Sequence, residues 1–303
     1  AFSRMPQRTV SVVIASGAGG EFLFRCLSSI VPQAQALGAE VLVVDRMGPA
    51  TRERIAKLYP SVRTLVADGP PRASVPQLRR MGAEAARGSI VAVLEEHCTA
   101  PSGWLATVAN SFEPQDAALG GPILDDGYTR LRDWCVYFSE YHNYMPPWGD
   151  VERFALNGAN IAYDRAKLLA HRAVLDSGYW EVVLHPLLAR DGRFRALDAL
   201  GAHHTGPFDY RYYLRQRYLL SRVWGGTQKD LVSPLKRLAH LVLGPVFPLL
   251  LFARVSARVF ERKRHVGRYL ATLPLLAPAW VCYSFGEWLG YLVGPGDALE
   301  EVE

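Results

Sequence analysis

Short β-branched runs alternating with helical patterns fill the first hundred residues, and no other feature of the chain limits its fold so tightly. Val10-Ser11-Val12-Val13-Ile14 has the apolar density of a buried strand, and after a run of glycines a helical pattern extends from Glu21 to Ile30. Glu40 to Asp45 repeats the strand signal, followed by a helix around Arg52 to Leu58. Val62 to Val66 gives a third strand, Gln77 to Arg87 a helix stopped by Gly88, and Ile90 to Leu94 a fourth strand. Such spacing predicts an α/β fold: a Rossmann-like, mostly parallel sheet with helices on both faces. Ligands of these sheets bind beyond the carboxyl ends of the strands. Polar residues gather at those ends: Ala15-Ser16, Asp45 and Glu95-Glu96-His97.

The texture changes near residue 232. Residues 1–232 read as a mixed globular domain, and residues 233–303 as a helical region with two apolar stretches separated by basic residues. Half of the 303 residues are hydrophobic and 21% are charged, ample for a core. A net charge of +5 is too modest to call for nucleic acid as a partner. The four cysteines lie far apart without a CxxC pair, so neither a disulfide framework nor a zinc cage is expected, and a reducing compartment fits. Val10 to Ala15 is too short for a signal-peptide core, so export is not expected.

Glu95, Glu96 and His97 directly follow the apolar run Ile90-Val91-Ala92-Val93-Leu94. Two carboxylates and an imidazole at a strand end suit a divalent cation, or else form a solvated acidic turn. The wider context sharpens this. From about Val10 to Trp224 the chain resembles the family 2 glycosyltransferases, which have the GT-A fold. Arg79-Arg80-Met81-Gly82-Ala83-Glu84-Ala85-Ala86-Arg87-Gly88 looks like the family's "aRNxGxxxArG" run, with Arg80 in place of the asparagine. Its metal-binding D-x-D falls on Glu95-Glu96-His97, ahead of Cys98, as in an EEHC-type variant; Pro101 and Trp104-Leu105 follow at the usual offset.

The resemblance implies roles for particular positions. Asp45 would bind the nucleobase, with Ala15 and Ser16 lining the same pocket. Arg79 would approach the diphosphate or base, Glu95 and Glu96 would face the donor, Glu96 meeting ribose or metal, and His97 would be a metal ligand. The metal would be Mg²⁺ or Mn²⁺, and the donor a UDP- or GDP-linked sugar.

Further along, Asn157, Gly158 and Asn160 offer close backbone approach and amide hydrogen bonds, and resemble the family's "G-x-N" segment beside the donor sugar. The alternative is a plain turn before a strand. Inverting transfer needs a carboxylate to take the acceptor's proton. Trp180-Glu181 falls on the family's E-D pair at the head of a helix running to about Arg190, which makes Glu181 the candidate base; Asp176 and His185 are fallbacks. The resemblance also implies a histidine ligand downstream, at His203 or His204. Tyr210 to Trp224 is a helical stretch with arginines among tyrosines, suited to phosphate or sugar contact or to plain packing. It lacks the Q-x-x-R-W pattern of processive synthases.

Two apolar stretches close the chain. Leu238 to Phe252 reads as too short to span a bilayer and carries Pro245 and Pro248, so only Tyr269 to Val293 has the length. Arg254, Arg258, Arg262, Lys263, Arg264 and Arg268 lie between them. Basic loops stay cytoplasmic, where nucleotide sugars are made, so interfacial or re-entrant helices on the cytoplasmic face of the cell membrane are expected. The resemblance thus implies an inverting, nucleotide-sugar-dependent glycosyltransferase with a hydroxyl acceptor, for which a membrane setting makes a lipid or lipid-linked glycan one candidate. A catalytically silent sugar-nucleotide-binding or scaffold protein and a nucleotidyltransferase are the alternatives.

Overall fold

A computed structural model describes residues 8–68, 72–125, 128–149, 151–152, 156–175, 180–204 and 209–302. These residues fall into two compact units, one within 1–126 and 144–205, the other within 127–143 and 206–303.

In the first unit the strands are β1 (Val10–Ser16), β2 (Glu40–Asp45), β3 (Arg63–Val66), β4 (Ile90–Leu94), β5 (Cys98–Thr99), β6 (Asp116–Gly120), β7 (Ile123–Leu124), β8 (Val151–Glu152), β9 (Asn160–Asp164), β10 (Arg193–Ala196) and β11 (Ala202–His204). The helices, numbered along the whole chain, are α1 (Gly20–Leu37), α2 (Pro49–Leu58), α3 (Val75–Ala85), α4 (Trp104–Ser111), α5 (Leu131–Glu140), α6 (Arg165–Ala170) and α7 (Trp180–Asp191). Of these, α5 belongs to the second unit. The main sheet has the order β3-β2-β1-β4-β9-β6-β10-β8. Pairing is parallel from β3 through β4, β9 runs antiparallel to both β4 and β6, and β8 is antiparallel to β10. The sheet is thus mostly parallel, as the alternation predicts.

The strand side chains divide between two layers. Val12, Ile14, Val41 and Val43 pack with Leu23, Leu27 and Ile30 of α1. Val13, Leu42, Val91 and Val93 pack on the other face with Ala83 of α3 and Leu184 and Leu188 of α7. With helices on both faces, β1, β2 and β4 need apolar residues at nearly every position, which accounts for their unbroken runs. Helix α3 starts two residues before its sequence signal, because Ser74 and Gln77 form a reciprocal capping box and Pro76 fits the first turn. A small sheet, β5-β11-β7, pairs His204 with Cys98 and so carries the 202–204 segment to the end of β4.

The second unit holds α5, α8 (Tyr210–Gln228), α9 (Pro234–Leu243), α10 (Phe247–Arg262), α11 (Val266–Val293) and α12 (Ala298–Glu301). The tyrosine–arginine stretch of α8 packs inward: Tyr213 is buried and bonds Ser139, and buried Arg217 pairs with Glu140 at 2.8 Å. Helices α8 and α11 touch backbone to backbone through glycines. A Cβ at Gly286 would lie 2.3 Å from the Tyr218 carbonyl oxygen, and one at Gly290 would lie 2.4 Å from that of Arg222.

The two apolar stretches differ from the expectation. Pro234–Arg262 forms a 29-residue helical stretch that, by length and composition, is the one among the described residues long and apolar enough to cross a membrane. Pro245 and Pro248 do not interrupt it, because each occupies a first-turn position where the missing N–H costs nothing. The stretch from Tyr269 to Val293 is instead a packed helix, with Tyr269, Leu276, Trp280 and Tyr291 buried.

Gly290→Val should destabilise the protein by about 3 kcal/mol through overpacking of the α8–α11 contact. Gly267→Ala, whose Cβ meets nothing within 4 Å, should not. Thermal unfolding of both variants checks this; equal midpoints would show that the helices can move apart freely.

Candidate functional site

The site begins where β1 and β2 end side by side, Ser16 opposite Asp45. Ala15 and Ser16 are buried, and among the described residues the Ser16 Oγ has no hydrogen-bond partner. Asp45 is fully buried and its carboxylate is heavily engaged. It accepts from Met47 N at 3.2 Å, Gly48 N at 3.1 Å and Arg52 Nη1 at 3.0 Å. Arg52 in turn forks onto Asp68 at 2.8 and 2.7 Å. Asp45 therefore fastens the end of β2 to the head of α2, more than an unengaged nucleobase acceptor would need.

Two arginines that the sequence reading passed over stand beside it. Arg46 reaches the Gly17 carbonyl at 3.3 Å and the Ala73 carbonyl at 2.7 Å, and Arg72 reaches the same Gly17 oxygen at 3.2 Å. The one sequence signal was position, since Arg46 directly follows the strand-ending aspartate.

Glu96 takes a different place from the one expected. Its Oε1 accepts from Gly17 N at 2.9 Å and Ala18 N at 2.6 Å, and its Oε2 from Gly19 N at 2.8 Å. Burial pushes its carboxyl up, against the His97 charge and the three amides, which favour the ionised form. With both oxygens engaged by the loop ahead of α1, Glu96 does not join a metal-ligating cluster. It anchors the glycine loop instead.

The cluster that does form is Glu95, His97 and His204, whose ligand atoms all lie within 4.8 Å of one another. Glu95 Oε1 is 3.5 Å from His97 Nδ1, and Phe22 packs 4.7 Å from the His97 ring, centroid to centroid. Burial alone would raise the Glu95 carboxyl. The hydrogen bond with His97 and the charges of His204, His97 and Arg79 outweigh it and hold the group down at about 2. Of the two candidate histidines, His204 is buried in the cluster, while His203, the next residue along β11, is partly exposed and outside it. One carboxylate and two imidazoles fit a divalent ion, and the nitrogens suit a first-row ion such as Mn²⁺ better than Mg²⁺, which takes oxygen ligands.

Beyond this trio lie Arg79 and Glu181. Arg79 Nη1 is 3.4 Å from Glu181 Oε1. The charge of Arg79 also lowers the Glu95 carboxyl, so one guanidinium acts on both carboxylates. Gly158 makes the room: a Cβ there would fall 1.5 Å from Glu181 Oε1 and 3.1 Å from Arg79 Nη1. Asn157 turns its side chain back onto Ala159 N at 2.7 Å, which shapes this turn. Asn160 is not presented to a ligand. Buried, it accepts from Trp104 Nε1 at 3.0 Å and donates to the Leu200 carbonyl at 2.6 Å, tying β9 to neighbouring segments. His185, one of the fallback bases, is buried with Nε2 2.8 Å from the Tyr163 hydroxyl, and burial lowers its pKa to about 4. Asp176 lies outside the described residues.

No family model matches the chain. Over 234 residues it is 26% identical to mouse polypeptide N-acetylgalactosaminyltransferase 12, a match that covers 74% of this chain and 36% of that protein. The chain therefore spans about a third of the length of that relative. Among solved structures it is similar to the mannosyltransferase PcManGT from Pyrobaculum calidifontis in complex with GDP-Man and Mn²⁺. That match has TM-score 0.57 and 16% identity, over 95% of this chain and 88% of that one. It is also similar to S. aureus TarS 1–349 in complex with UDP-GlcNAc, with TM-score 0.51 and 15% identity, over 92% and 90% of the two chains. With these likenesses, the sheet order and the strand-end site, the chain has the GT-A glycosyltransferase fold.

Because Glu95 stays ionised down to about pH 2, acid should act on the cluster through its imidazoles. Mn²⁺ affinity, followed by electron paramagnetic resonance, should fall as the solution is acidified toward pH 5, since protons compete with the metal for two imidazoles. Unchanged affinity down to pH 5 would remove His97 and His204 from the ligand set.

Proposed function

We propose that this protein is a metal-dependent inverting glycosyltransferase that moves a sugar from a nucleoside-diphosphate donor to an acceptor hydroxyl. The observation that carries it is the Glu95-His97-His204 trio, with Arg79, whose charge also acts on Glu95, paired to the carboxylate of Glu181. A GDP- or UDP-linked sugar fits, since the two structurally similar glycosyltransferases hold GDP-Man and UDP-GlcNAc. The nucleoside would lie over the ends of β1 and β2 beside Ala15, Ser16 and Asp45, with Arg46 and Arg72 next to the glycine loop.

Glu95, His97 and His204 would hold Mn²⁺, which when bound neutralises charge on the departing diphosphate. Arg79, drawn toward that diphosphate, would release Glu181. Glu181, with 28% of its side chain exposed, then takes the proton from the acceptor hydroxyl. The acceptor oxygen bonds to the anomeric carbon, the bond from that carbon to the phosphate oxygen breaks, and the configuration inverts. Gly158 keeps the base in position by leaving its carboxylate unobstructed.

The α9–α10 stretch supports a place at the cytoplasmic membrane face. Only 11% of its apolar window is buried, and Leu235, Val242 and Leu249 are 77%, 67% and 68% exposed. Such a face gains free energy by entering the headgroup–acyl boundary, and the arginines that follow it suit anionic headgroups. A lipid or lipid-linked acceptor suits an enzyme held at a membrane.

Glu181→Gln should keep the thermal stabilisation given by GDP or UDP with Mn²⁺ but lose transfer, because binding and proton removal are separate tasks. Gly158→Ala should cost less than ~1 kcal/mol in stability yet lower the transfer rate at least roughly tenfold, as its methyl displaces the base. Stabilisation by neither nucleotide would refute the donor site, and undiminished transfer by Glu181→Gln would refute the base. For the membrane face, Leu238→Asp and Leu249→Asp should leave folding intact and move the protein from the vesicle pellet to the supernatant; continued sedimentation would reject that assignment.

A further inference from the structure

The second unit contains a cavity of about 670 Å³ between α8, α9, α10 and α11, whose lining includes none of the residues placed in the transfer site. One part of its wall is aliphatic and aromatic: Leu243, Phe247, Leu250 and Leu251. Another part is polar and mainly basic, from Lys236, His240, Arg254 and Glu287. The combination is unusual for a packing defect, which would be apolar and smaller.

The polar wall is held in place. The His240 ring stacks on Tyr291 at 4.3 Å with the planes 9° apart, and meets Phe247 edge to face at 5.5 Å. Its Nδ1 is shielded from solvent and has no hydrogen-bond partner among the described residues. Glu287 is the one acidic residue on the wall. Burial raises its carboxyl to about 7, against the Arg254 charge and a hydrogen bond with Trp224 that lower it. Near neutral pH a large share of it is therefore an uncharged donor rather than a repelling anion. The helices α9 and α10 that frame the cavity also carry the exposed apolar residues Leu238, Val242 and Leu249.

The geometry points to a binding site for a phosphate-bearing lipid. The phosphate meets Arg254, Lys236 and His240, and one hydrocarbon chain lies along Leu243, Phe247 and Leu250. The shared chemistry with free phosphate is the anion; the apolar wall is what selects the lipid. The site rests on the membrane-face reading only for how the ligand arrives, because its lining is internal to the second unit.

The test uses soluble probes and the full chain. Isothermal titration is run with dihexanoyl phosphatidic acid, dihexanoyl phosphatidylcholine and inorganic phosphate. The acidic lipid should bind saturably at one site, at least roughly tenfold more tightly than the other two. Arg254→Gln, which removes the cation, and Ala239→Trp, which fills the cavity from α9, should each weaken it at least roughly tenfold. Arg258→Gln, on the same helix but paired with Glu261 outside the cavity, should leave it unchanged. Equal binding of phosphate and lipid would reduce the site to an anion site and overturn the lipid assignment. No saturable binding, or unaltered binding by both Arg254→Gln and Ala239→Trp, would overturn the site altogether. Failure of the wild-type protein to sediment with vesicles while still binding the short lipid would reject the membrane face and leave the cavity assignment standing.

Discussion

The register of β9 against β4 is the constraint on which the site rests. Five antiparallel pairs run from Ile90↔Asp164 to Leu94↔Asn160, and Glu95 N extends the ladder onto the Ala159 carbonyl at 2.9 Å. Residues more than sixty positions apart are thereby fixed as neighbours: the end of β4 with its Glu95, and the turn that carries Gly158. Asn160 helps hold the register, because its amide accepts from Trp104 and donates to the Leu200 carbonyl. A slip of one residue would reverse every side chain of β9 and take that amide out of its cradle. It would also remove the gap at Gly158 into which Glu181 projects.

Four carboxylates stand at this end of the sheet, and their surroundings separate them into two kinds. Asp45 and Glu96 are saturated by backbone amides, with Arg52 added at Asp45, and they hold loops. Glu95 and Glu181 face imidazoles and a guanidinium and keep lone pairs for other partners. The first kind fixes the local loops, and the second kind has oxygens left for a ligand. A loop of glycines and one alanine has no polar side chain of its own to fix it, and Glu96 supplies three acceptor contacts from a single residue.

Much of this was legible in the sequence because the physics was local. Strands β1, β2 and β4 declare themselves through unbroken apolar runs and α3 through its helical pattern and the glycine that stops it, whereas α7 is placed through the family resemblance. Glu95, His97, His204, Arg79, Gly158 and Glu181 are named mostly through the family resemblance, and which of two histidines turns inward depends on the pairing of β11. Direction of side chains was not legible. Glu95 and Glu96 are adjacent and chemically alike, yet one faces the imidazoles and the other the glycine loop, because successive residues here point apart. The roles of Asn160 and Arg46 depend on partners far away in sequence, Leu200 and Gly17 among them. The two apolar stretches near the C-terminus exchanged expected roles for a related reason. Prolines counted against the first are harmless in a helix's opening turn, and burial of the second is decided by glycine contacts with α8.

Helix α5 is drawn from the middle of the chain into the unit made by the last hundred residues. Its Phe138 packs edge to face on Tyr269 and its Trp134 lies against His265. No single cut can therefore separate the sheet-bearing part from the helical part. A chain shortened after residue 205 would still contain α5, now with an aromatic surface stripped of its lining, and would be prone to clump. The insertion obliges the two halves to be inherited together, so recombination or gene trimming that exchanged only the tail would be purged unless it carried the inserted helix with it.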